Sequence, residues 1–202
     1  MQASCTELTL LFCFLISVAL NYQTEDKQNF INRARFSDNA GCGYVLKPDF
    51  LRDNSIAYSP NSPSELDVEK YPSWKIEVKI ISGQHIPKAE GSDDIIDPYV
   101  KLRLRGHPDD EVNSEGDKIN KGKTKSVKNN GFNPVWNETF VFESKVPSLA
   151  FLEFKVKDHC KSGTDEDIAM FSSPLSLIKE GTLHIKNLEP LCYVFDFQLR
   201  IH

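Results

Sequence analysis

Hydrophobic and charged residues alternate along the chain from Trp74 onward. Between Trp74 and Ile80 every second side chain is apolar, and Lys or Glu fills each position between them. The same alternation returns over residues 100–105 and again over residues 195–201, where Phe, Leu and Ile alternate with Asp, Gln and Arg. A period of two is typical of a β-strand that buries one face. The pattern therefore predicts that the second part of the chain folds into β-strands.

Short segments of this kind recur from Pro72 to the end of the chain, separated by Gly, Pro, Asn and Asp residues. Many short strands joined by such turns indicate an antiparallel β-sandwich. The candidate strands are Trp74–Ser82, Tyr99–Arg105, Thr124–Val127, Val135–Glu143, Phe151–Asp158, Ile168–Ser172, Thr182–Ile185 and Tyr193–Ile201. We therefore expect a mostly β protein whose main domain is an eight-stranded sandwich.

The first part of the chain has a different pattern. Residues 8–20 form a nearly unbroken apolar run, which is too short to cross a bilayer but suits the core of a signal peptide. Ser17-Val18-Ala19 would serve as a cleavage site, although Glu7 is acidic and no basic residue precedes the run. The same run would also suit a buried β-strand. Both interpretations stay open at this point.

A helix and a linker follow the apolar run. The segment from Gln28 to Asp38 has the pattern of a short helix, which the glycine-containing residues 39–43 would end. The segment from Asp53 to Tyr71 holds two prolines, several Ser and Asn residues and acidic residues, with little to bury. We place a domain boundary in this linker.

Composition narrows the class of protein. The 202 residues leave room for one or two domains, and 40% hydrophobic residues with 13 Phe can form a core. The net charge of -5 argues against general affinity for nucleic acid. The five cysteines are scattered and odd in number, which suits a reducing compartment better than a disulfide scaffold. The cysteines are Cys5, Cys13, Cys42, Cys160 and Cys192.

Two groups of motifs resemble known families. The string Asp97-Pro98-Tyr99-Val100, followed by NNGFNPVWN at residues 129–137, resembles the calcium- and lipid-binding C2 domain. Upstream, ALNYQT at residues 19–24 and GCGYVLKPDFLR at residues 41–52 resemble the end of the catalytic Y half of eukaryotic phosphoinositide-specific phospholipase C. Within that family, these segments resemble the delta-like branch. The family order of barrel, GCGYVLKP segment, linker and C2 domain is also the order here.

The resemblance implies a fold and a division of the chain. The implied fold is a C2-type eight-stranded antiparallel β-sandwich, preceded by a remnant of a TIM-like α/β barrel that consists of its last strand and helix. In the family this last barrel strand is buried and apolar, so residues 18–24 need no targeting role. The implied divisions are an unexplained apolar N-terminus at residues 1–17, the end of the Y domain at 18–52, the linker at 53–71 and the C2 domain at 72–202.

The resemblance also implies which chemistry this chain lacks. The family hydrolyses phosphatidylinositol 4,5-bisphosphate to diacylglycerol and inositol trisphosphate, using two histidines and a calcium ion on the barrel. A barrel needs about 200 residues or more, whereas only 52 residues precede the linker. All histidines lie in the C2-like part, so we assign no catalytic residue and expect this chain alone to be inactive. The histidines are His85, His107, His159, His184 and His202.

In the C2 family, three loops at one end of the sandwich bind calcium. The positions that match the family's ligands are Asp97, Asn129, Asp158 and Asp167. Calcium takes six to eight oxygen ligands. Cys160 stands where the family has a second Asp, and its sulfur is a soft ligand that suits calcium poorly. Asp93, Asp94 or Asp165 could compensate, and the alternative is a set of solvated acidic loops that binds no metal.

A cluster of lysines lies between the first and second of these loops. Five Lys residues fall between Lys118 and Lys128, and a period of two places Lys123 and Lys125 on the same face of a strand. Many C2 domains use a lysine-rich strand at this place to contact anionic lipid headgroups. The candidate lipid-binding residues are Lys121, Lys123, Lys125 and Lys128. The alternative is a solvated face that the acidic residues at positions 109–117 partly neutralise.

Together these features predict the C2 membrane-binding portion of a phosphoinositide phospholipase C. The expected partners are an anionic phospholipid membrane and, where a longer chain exists, the rest of the catalytic barrel, with calcium as the candidate cofactor. The expected location is the cytoplasm, peripheral to a membrane. The alternative is a secreted β-sandwich binding protein, which rests on the apolar start and on the glycosylation sequon Asn137-Glu138-Thr139.

Overall fold

The computed structural model describes residues 21–23, 27–53, 67–88, 94–111, 119–160, 163–186 and 194–202. The helices are α1 (Lys27–Ser37), α2 (Asp49–Arg52) and α3 (Pro108–Glu111), and short 3-10 turns occur at Val68–Lys70, Pro147–Leu149 and Leu175–Leu177. The strands are β1 (Trp74–Gln84), β2 (Pro98–Arg105), β3 (Lys121–Lys123), β4 (Val135–Ser144), β5 (Phe151–Asp158), β6 (Glu166–Pro174), β7 (Gly181–Lys186) and β8 (Val194–Ile201).

The strands form two four-stranded antiparallel sheets. The first sheet has the order β4-β1-β8-β7, and the second has the order β3-β2-β5-β6. The inner faces of both sheets form one hydrophobic core, because the apolar positions of each alternating strand lie on the same side. In β1, for example, Ile76, Val78 and Ile80 are fully buried. The predicted eight-stranded antiparallel β-sandwich is therefore confirmed.

Seven of the predicted strands agree with the observed ones to within two residues at each end. The prediction of a strand at Thr124–Val127 was wrong, because β3 occupies the residues just before it. The segment after β3 still runs beside β2, but the buried hydroxyl of Thr124 accepts a hydrogen bond of 2.9 Å from the Val100 N–H. A side chain thus takes the place of a backbone acceptor, which ends the regular ladder.

The residues before the sandwich pack against its second sheet. The predicted helix at Gln28–Asp38 is confirmed as α1, one residue earlier in the chain. It lies along β6, and the Ser176 hydroxyl donates a hydrogen bond of 2.9 Å to Asp38 at its end. A second, smaller core joins the two parts and consists of Ile31, Ala34, Phe50, Val146, Leu149 and Phe151. This core lies at the start of β5, whereas the predicted calcium loops lie at its other end.

The predicted last barrel strand at residues 18–24 falls mostly outside the described residues. Residues 21–23 are described and form a turn. The carbonyl of Asn21 accepts a hydrogen bond of 2.8 Å from the side chain of Asn29 in α1. The turn is thus tied to the first helix.

Candidate functional site

Three of the predicted calcium ligands lie next to one another at the loop end of the sandwich. The carboxylate of Asp97 accepts a hydrogen bond of 2.7 Å from the backbone N–H of Asn129. The backbone N–H of Asp97 in turn donates a bond of 2.7 Å to Oδ1 of Asp158. Asn129 has a φ of 51°, a left-handed conformation that Asn tolerates better than most residues. The three loops are thus joined through backbone amides.

The fourth predicted ligand, Asp167, makes different contacts. It lies on β6, where its two carboxylate oxygens contact the ammonium groups of Lys155 at 2.6 Å and Lys157 at 2.9 Å. A β-bulge between Val156 and Lys157 shifts the pairing with β6 at this point. Burial raises the pKa of Asp167, but hydrogen bonds from the two lysines outweigh burial and hold the pKa below its usual value. Asp167 is therefore the counter-ion of two lysines.

Asp165 links the third loop to strand β2. Its carboxylate accepts a hydrogen bond of 2.6 Å from the Tyr99 hydroxyl and lies 3.0 Å from Nδ1 of His159. These contacts lower the pKa of Asp165 to about 2, with the Tyr99 bond as the largest cause. The pKa of Tyr99 moves the other way, raised by burial and by the bond to Asp165. The loop is thus fixed by a charged hydrogen bond to the sheet.

The described donor groups do not fit a calcium ion in this arrangement. Among the described residues, no group of three or more His, Cys, Asp or Glu side chains could hold a metal ion. Asp97 and Asp158 face backbone amides, and Asp167 faces two ammonium groups. Burial and the charge of Asp158 raise the pKa of Cys160, which keeps its thiol protonated and a poor ligand.

The other acidic residues that the sequence offered as calcium ligands do not complete a calcium site either. Asp94 is exposed, and its carboxylate accepts a hydrogen bond of 2.8 Å from the adjacent Ile95 N–H. Asp165 is engaged with Tyr99, and Asp93 lies outside the described residues. The oxygen-rich shell that calcium needs is therefore not assembled from the described side chains.

A row of three lysines crosses the outer face of the second sheet. Lys101 of β2 is paired in register with Lys123 of β3 on one side and with Lys155 of β5 on the other. Residues paired in register lie on the same face, with their side chains about 5 Å apart. We call Lys123, Lys101 and Lys155 the lysine row. Tyr99 lies beside it, and the Lys123 ammonium is 4.1 Å from the centre of its ring.

The lysine row carries an excess of positive charge. Like charges directly opposite each other on adjacent strands destabilise a sheet. Asp167 contacts Lys155 at one end of the row, whereas no described carboxylate forms an ion pair with Lys101 or Lys123, which are both exposed. The whole chain has a net charge of -5, so this concentration of cations is local.

The predicted lipid-binding lysines occupy two kinds of position. Lys121 and Lys123 lie at the two ends of β3, whereas Lys125 and Lys128 lie in the segment that follows it, and all four are exposed. Sequence reasoning missed Lys101, Lys155 and Lys157. Their signal is present in the strands, because each alternates with buried apolar residues. Only the pairing register shows that Lys101 lies beside Lys123 of β3 and that Lys155 lies beside Lys101.

The described histidines make separate contacts. His85 lies edge-on to Phe132, with ring centres 4.7 Å apart. His107 is fully buried, and His159 contacts Asp165. His202 pairs through its backbone with Lys75 at the end of the first sheet. No two of these four are joined into one catalytic group.

Comparisons with known proteins define the class. A profile for the C2 domain matches residues 74–189, and a profile for the phosphatidylinositol-specific phospholipase C Y domain matches residues 15–50. Because the first match covers more than half of the chain, the chain belongs to the C2 domain family. A Y-domain match lies ahead of it, and the chain is similar to part of delta-type phosphoinositide-specific phospholipases C.

Two relatives and one solved structure illustrate the match. The delta-4 1-phosphatidylinositol 4,5-bisphosphate phosphodiesterase of Xenopus laevis is 37% identical over 169 residues, 83% of this chain and 21% of the relative. The human delta-1 enzyme of that name is 36% identical over 172 residues, again 83% and 21%. The crystal structure of S. officinalis PLC21 aligns with a TM-score of 0.70 at 31% identity, covering 91% of this chain and 22% of that one. This chain thus spans about a fifth of the length of the curated relatives it matches.

The secreted alternative gains no support from these findings. Residues 1–20 lie outside the described residues, but the Y-domain match begins at residue 15, inside the apolar run. In the part of the chain that the structure describes, no helix is both long enough and apolar enough to span a bilayer. The second half of the apolar run therefore belongs to the region that resembles a catalytic domain.

Proposed function

We propose that this chain is the C2 membrane-binding portion of a phosphoinositide phospholipase C and that it docks on anionic phospholipid through the lysine row. The observation that carries the proposal is the register that aligns Lys123, Lys101 and Lys155 on three adjacent strands. Such a row costs stability in water, and an anionic surface removes that cost. The predicted residues Lys121, Lys125 and Lys128 extend the positive surface beside it.

The expected strength of this contact is modest. Each Lys close to an anionic membrane surface contributes about 1 kcal/mol. Three or four such residues give weak and reversible binding, which salt screens over a Debye length of about 8 Å at physiological ionic strength. A module of this strength suits a peripheral protein of the cytoplasm that associates with the membrane transiently.

The packing of α1 and α2 supports a role for this portion in a longer chain. Both helices lie against the same sheet that carries the lysine row, through the core around Ile31 and Phe151. In a longer chain, a catalytic barrel joined to these helices would stand beside the membrane-docking face. We propose residues 18–52 as the end of that barrel, 53–71 as the linker and 72–202 as the C2 domain. Residues 1–17 stay unassigned.

The proposed reaction belongs to the longer protein. The relatives are named as phosphodiesterases of phosphatidylinositol 4,5-bisphosphate, and this chain covers about a fifth of them. We propose the same hydrolysis, to diacylglycerol and inositol trisphosphate, for a chain that includes the rest of the barrel. This chain alone should release no inositol trisphosphate from mixed vesicles. Release by the purified chain would contradict this part of the proposal.

Calcium stays a prediction drawn from the resemblance. C2 domains commonly bind calcium, and the matching positions are Asp97, Asn129, Asp158 and Asp167. These side chains already contact backbone amides and lysines, so we expect the lysine row to bind the membrane without calcium. We therefore expect equal binding to anionic vesicles in chelator and in millimolar calcium. An increase with calcium that Asp97→Asn abolishes would instead support the predicted ligand set.

The test of membrane docking compares two pairs of lysines. Replacing Lys101 and Lys123 by Ala removes the exposed part of the row, whereas replacing Lys75 and Lys79 by Ala removes the same charge from the outer face of the first sheet. Binding to phosphatidylserine vesicles in chelator should fall about thirtyfold for the first pair and little for the second. Thermal melts verify that both variants fold. Equal losses in the two variants would overturn the proposal.

A further inference from the structure

An exposed serine links the end of α1 to the sandwich. The Ser176 hydroxyl donates a hydrogen bond of 2.9 Å to Oδ1 of Asp38, which directly follows the last residue of α1. The two residues lie 138 positions apart in the sequence, so this bond joins the region that matches the Y domain to the C2 domain. The state of the Ser176 hydroxyl therefore affects how firmly these two parts are held together.

The Ser176 hydroxyl is accessible although its turn is anchored. Ser176 lies in the turn Leu175–Leu177 between β6 and β7, where the buried Leu175 packs into the main core. Ser176 and Leu177 are exposed. By contrast, the hydroxyl of Ser144 makes a buried bond and that of Ser82 a part-buried one. An enzyme that modifies hydroxyl groups can thus reach Ser176 at the surface of the folded protein.

The surroundings of Ser176 disfavour an added negative charge. The carboxylate of Asp38 lies at hydrogen-bond distance, and the C-terminal end of α1 contributes the partial negative charge of its last carbonyl groups. Arg35 is the basic residue of that last turn. Burial lowers the pKa of Arg35 and the charge of Asp38 raises it by less, so this cation already interacts with Asp38. A phosphate placed at a helix C-terminus or next to an acidic side chain disrupts the contact there.

We propose that Ser176 is a phosphorylation site and that its modification loosens the end of α1 from the sandwich. A protein kinase would supply the terminal phosphoryl group of ATP. The Ser176 oxygen bonds to the γ-phosphorus, the bond from that phosphorus to the bridging oxygen breaks, ADP leaves, and the hydroxyl proton passes to a base of the kinase. The modified side chain no longer donates a proton to Asp38 and carries about -1.5 to -2 charges near neutral pH.

The expected effect is local to the joint between the two parts. Ile31 and Ala34 are buried in the small core and hold the middle of α1 against the sandwich. Phosphorylation should therefore open the last turn of the helix and not detach the whole helix. In a longer chain, this change would give the proposed barrel more freedom relative to the C2 domain. The inference needs only the contact between α1 and the sandwich, so it does not rest on the proposed membrane docking.

The first test measures amide hydrogen exchange in α1 of the full chain. Ser176→Ala loses only the donor of an exposed bond, so exchange in the last turn should accelerate about threefold. The chain with phosphoserine incorporated at position 176 adds repulsion from Asp38, so exchange there should accelerate about tenfold. Phosphoserine incorporated at position 73 is the matched control, because Ser73 is exposed just before β1 of the other sheet. This control should leave exchange in α1 unchanged.

Asp38→Asn identifies the charge that repels the phosphate. In this variant, phosphorylation at Ser176 should accelerate exchange in α1 much less, because a neutral amide replaces the carboxylate. Equal exchange in the unmodified and phosphorylated wild-type chains would overturn the inference. Slower exchange after phosphorylation would also overturn it, since the phosphate would then pair with Arg35 and tighten the contact. Unchanged exchange in β1 verifies that the sandwich stays folded in each protein.

The second test asks whether kinases modify the site. The full chain is expressed in eukaryotic cells with phosphatase inhibitors, and mass spectrometry locates phosphate within the tryptic peptide that ends at Lys179. We expect phosphate on Ser176 and none at that position in Ser176→Ala. An unmodified Ser176 would overturn the assignment of the site. Neither result bears on vesicle binding by the Lys101 and Lys123 variant, so the inference and the proposed function fail independently.

Discussion

The backbone N–H of Asp97 donates a hydrogen bond of 2.7 Å to Oδ1 of Asp158. The carboxylate of Asp97, a residue that is only 6% exposed, accepts a second bond from the Asn129 N–H. The two aspartates thus join three loops directly. Hydrogen bonds to charged acceptors are stronger than neutral ones, so the acidic residues of this end stabilise the fold in their own right.

Asp158→Ala should therefore destabilise the protein even in chelator. The loss should be about 1–2 kcal/mol of the free energy of unfolding, because the Asp97 amide loses a charged acceptor. Denaturant unfolding of the two proteins in chelator measures it. Asp94→Ala is the control, since Asp94 is exposed and bonds to the adjacent Ile95 N–H. Unchanged stability of Asp158→Ala would show that the bond contributes nothing.

The contacts of Asp165 predict that the link between the third loop and β2 weakens in acid. The Tyr99 hydroxyl and His159 hold its pKa at about 2 in the folded protein, below the value of about 3.9 expected when unfolded. The folded state therefore gains stability above pH 4 or so and loses it as the pH falls toward 2. The melting-temperature difference between wild type and Tyr99→Phe should shrink over this interval.

An NMR titration of the Asp165 carboxyl carbon tests the same link directly. Tyr99→Phe should raise the pKa of Asp165 toward its ordinary value, because the largest cause of its lowering is lost. His159→Asn should raise that pKa by less. A pKa that stays near its wild-type value in Tyr99→Phe would exclude the hydrogen bond as the cause.

The fold could be predicted wherever one face of a strand is buried. The alternation in β1 and in β5 follows directly from that burial, and those strands were predicted almost residue by residue. β3 was misplaced because a strand of three residues with a central glycine has no apolar alternation. Thr124 then bonds to β2 through its side chain, and a hydrogen bond of this kind leaves no periodic pattern in the sequence.

The candidate site could be predicted only where its residues are close in sequence. Lys121 and Lys123 form part of a dense local run of lysines, which composition alone reveals. Lys101 and Lys155 join them through the register of three strands, and one sequence does not fix a register. The position of Asp167 depends in addition on the register shift between β5 and β6, so its ion pairs could not be foreseen.

The packing of α1 on the sandwich predicts a second stability effect. Ile31 is 1% exposed in the small core that joins α1 to β5. Ile31→Ala should cost about 2–4 kcal/mol of the local free energy of opening, because a buried aliphatic side chain leaves a cavity. Hydrogen exchange should accelerate in α1, with little change in β1 or β2.

The control for this effect is an exposed apolar residue of the same region. Leu46 is 72% exposed, so Leu46→Ala should leave exchange in α1 unchanged. Equal exchange in wild type and Ile31→Ala would mean that α1 does not depend on the sandwich for its stability.

Replacing Gly122 by Ala should weaken lipid binding without changing any charge. This glycine lies in β3 between Lys121 and Lys123, and a Cβ at its position would lie 2.6 Å from Cδ1 of the Phe140 ring. Gly122→Ala must therefore push β3 away from the sandwich, because Phe140 packs against the core on its other side. Lys123 would then leave the Tyr99 ring and the lysine row.

Vesicle binding by Gly122→Ala should thus fall severalfold in chelator although every lysine is still present. Gly163→Ala is the matched control, since a Cβ at Gly163 meets no atom within 4 Å. Fluorescence or NMR signals of Tyr99 should report the departure of Lys123 in the first variant only. If Gly122→Ala binds vesicles as wild type does while β3 has moved, total charge rather than the alignment of the three lysines governs docking.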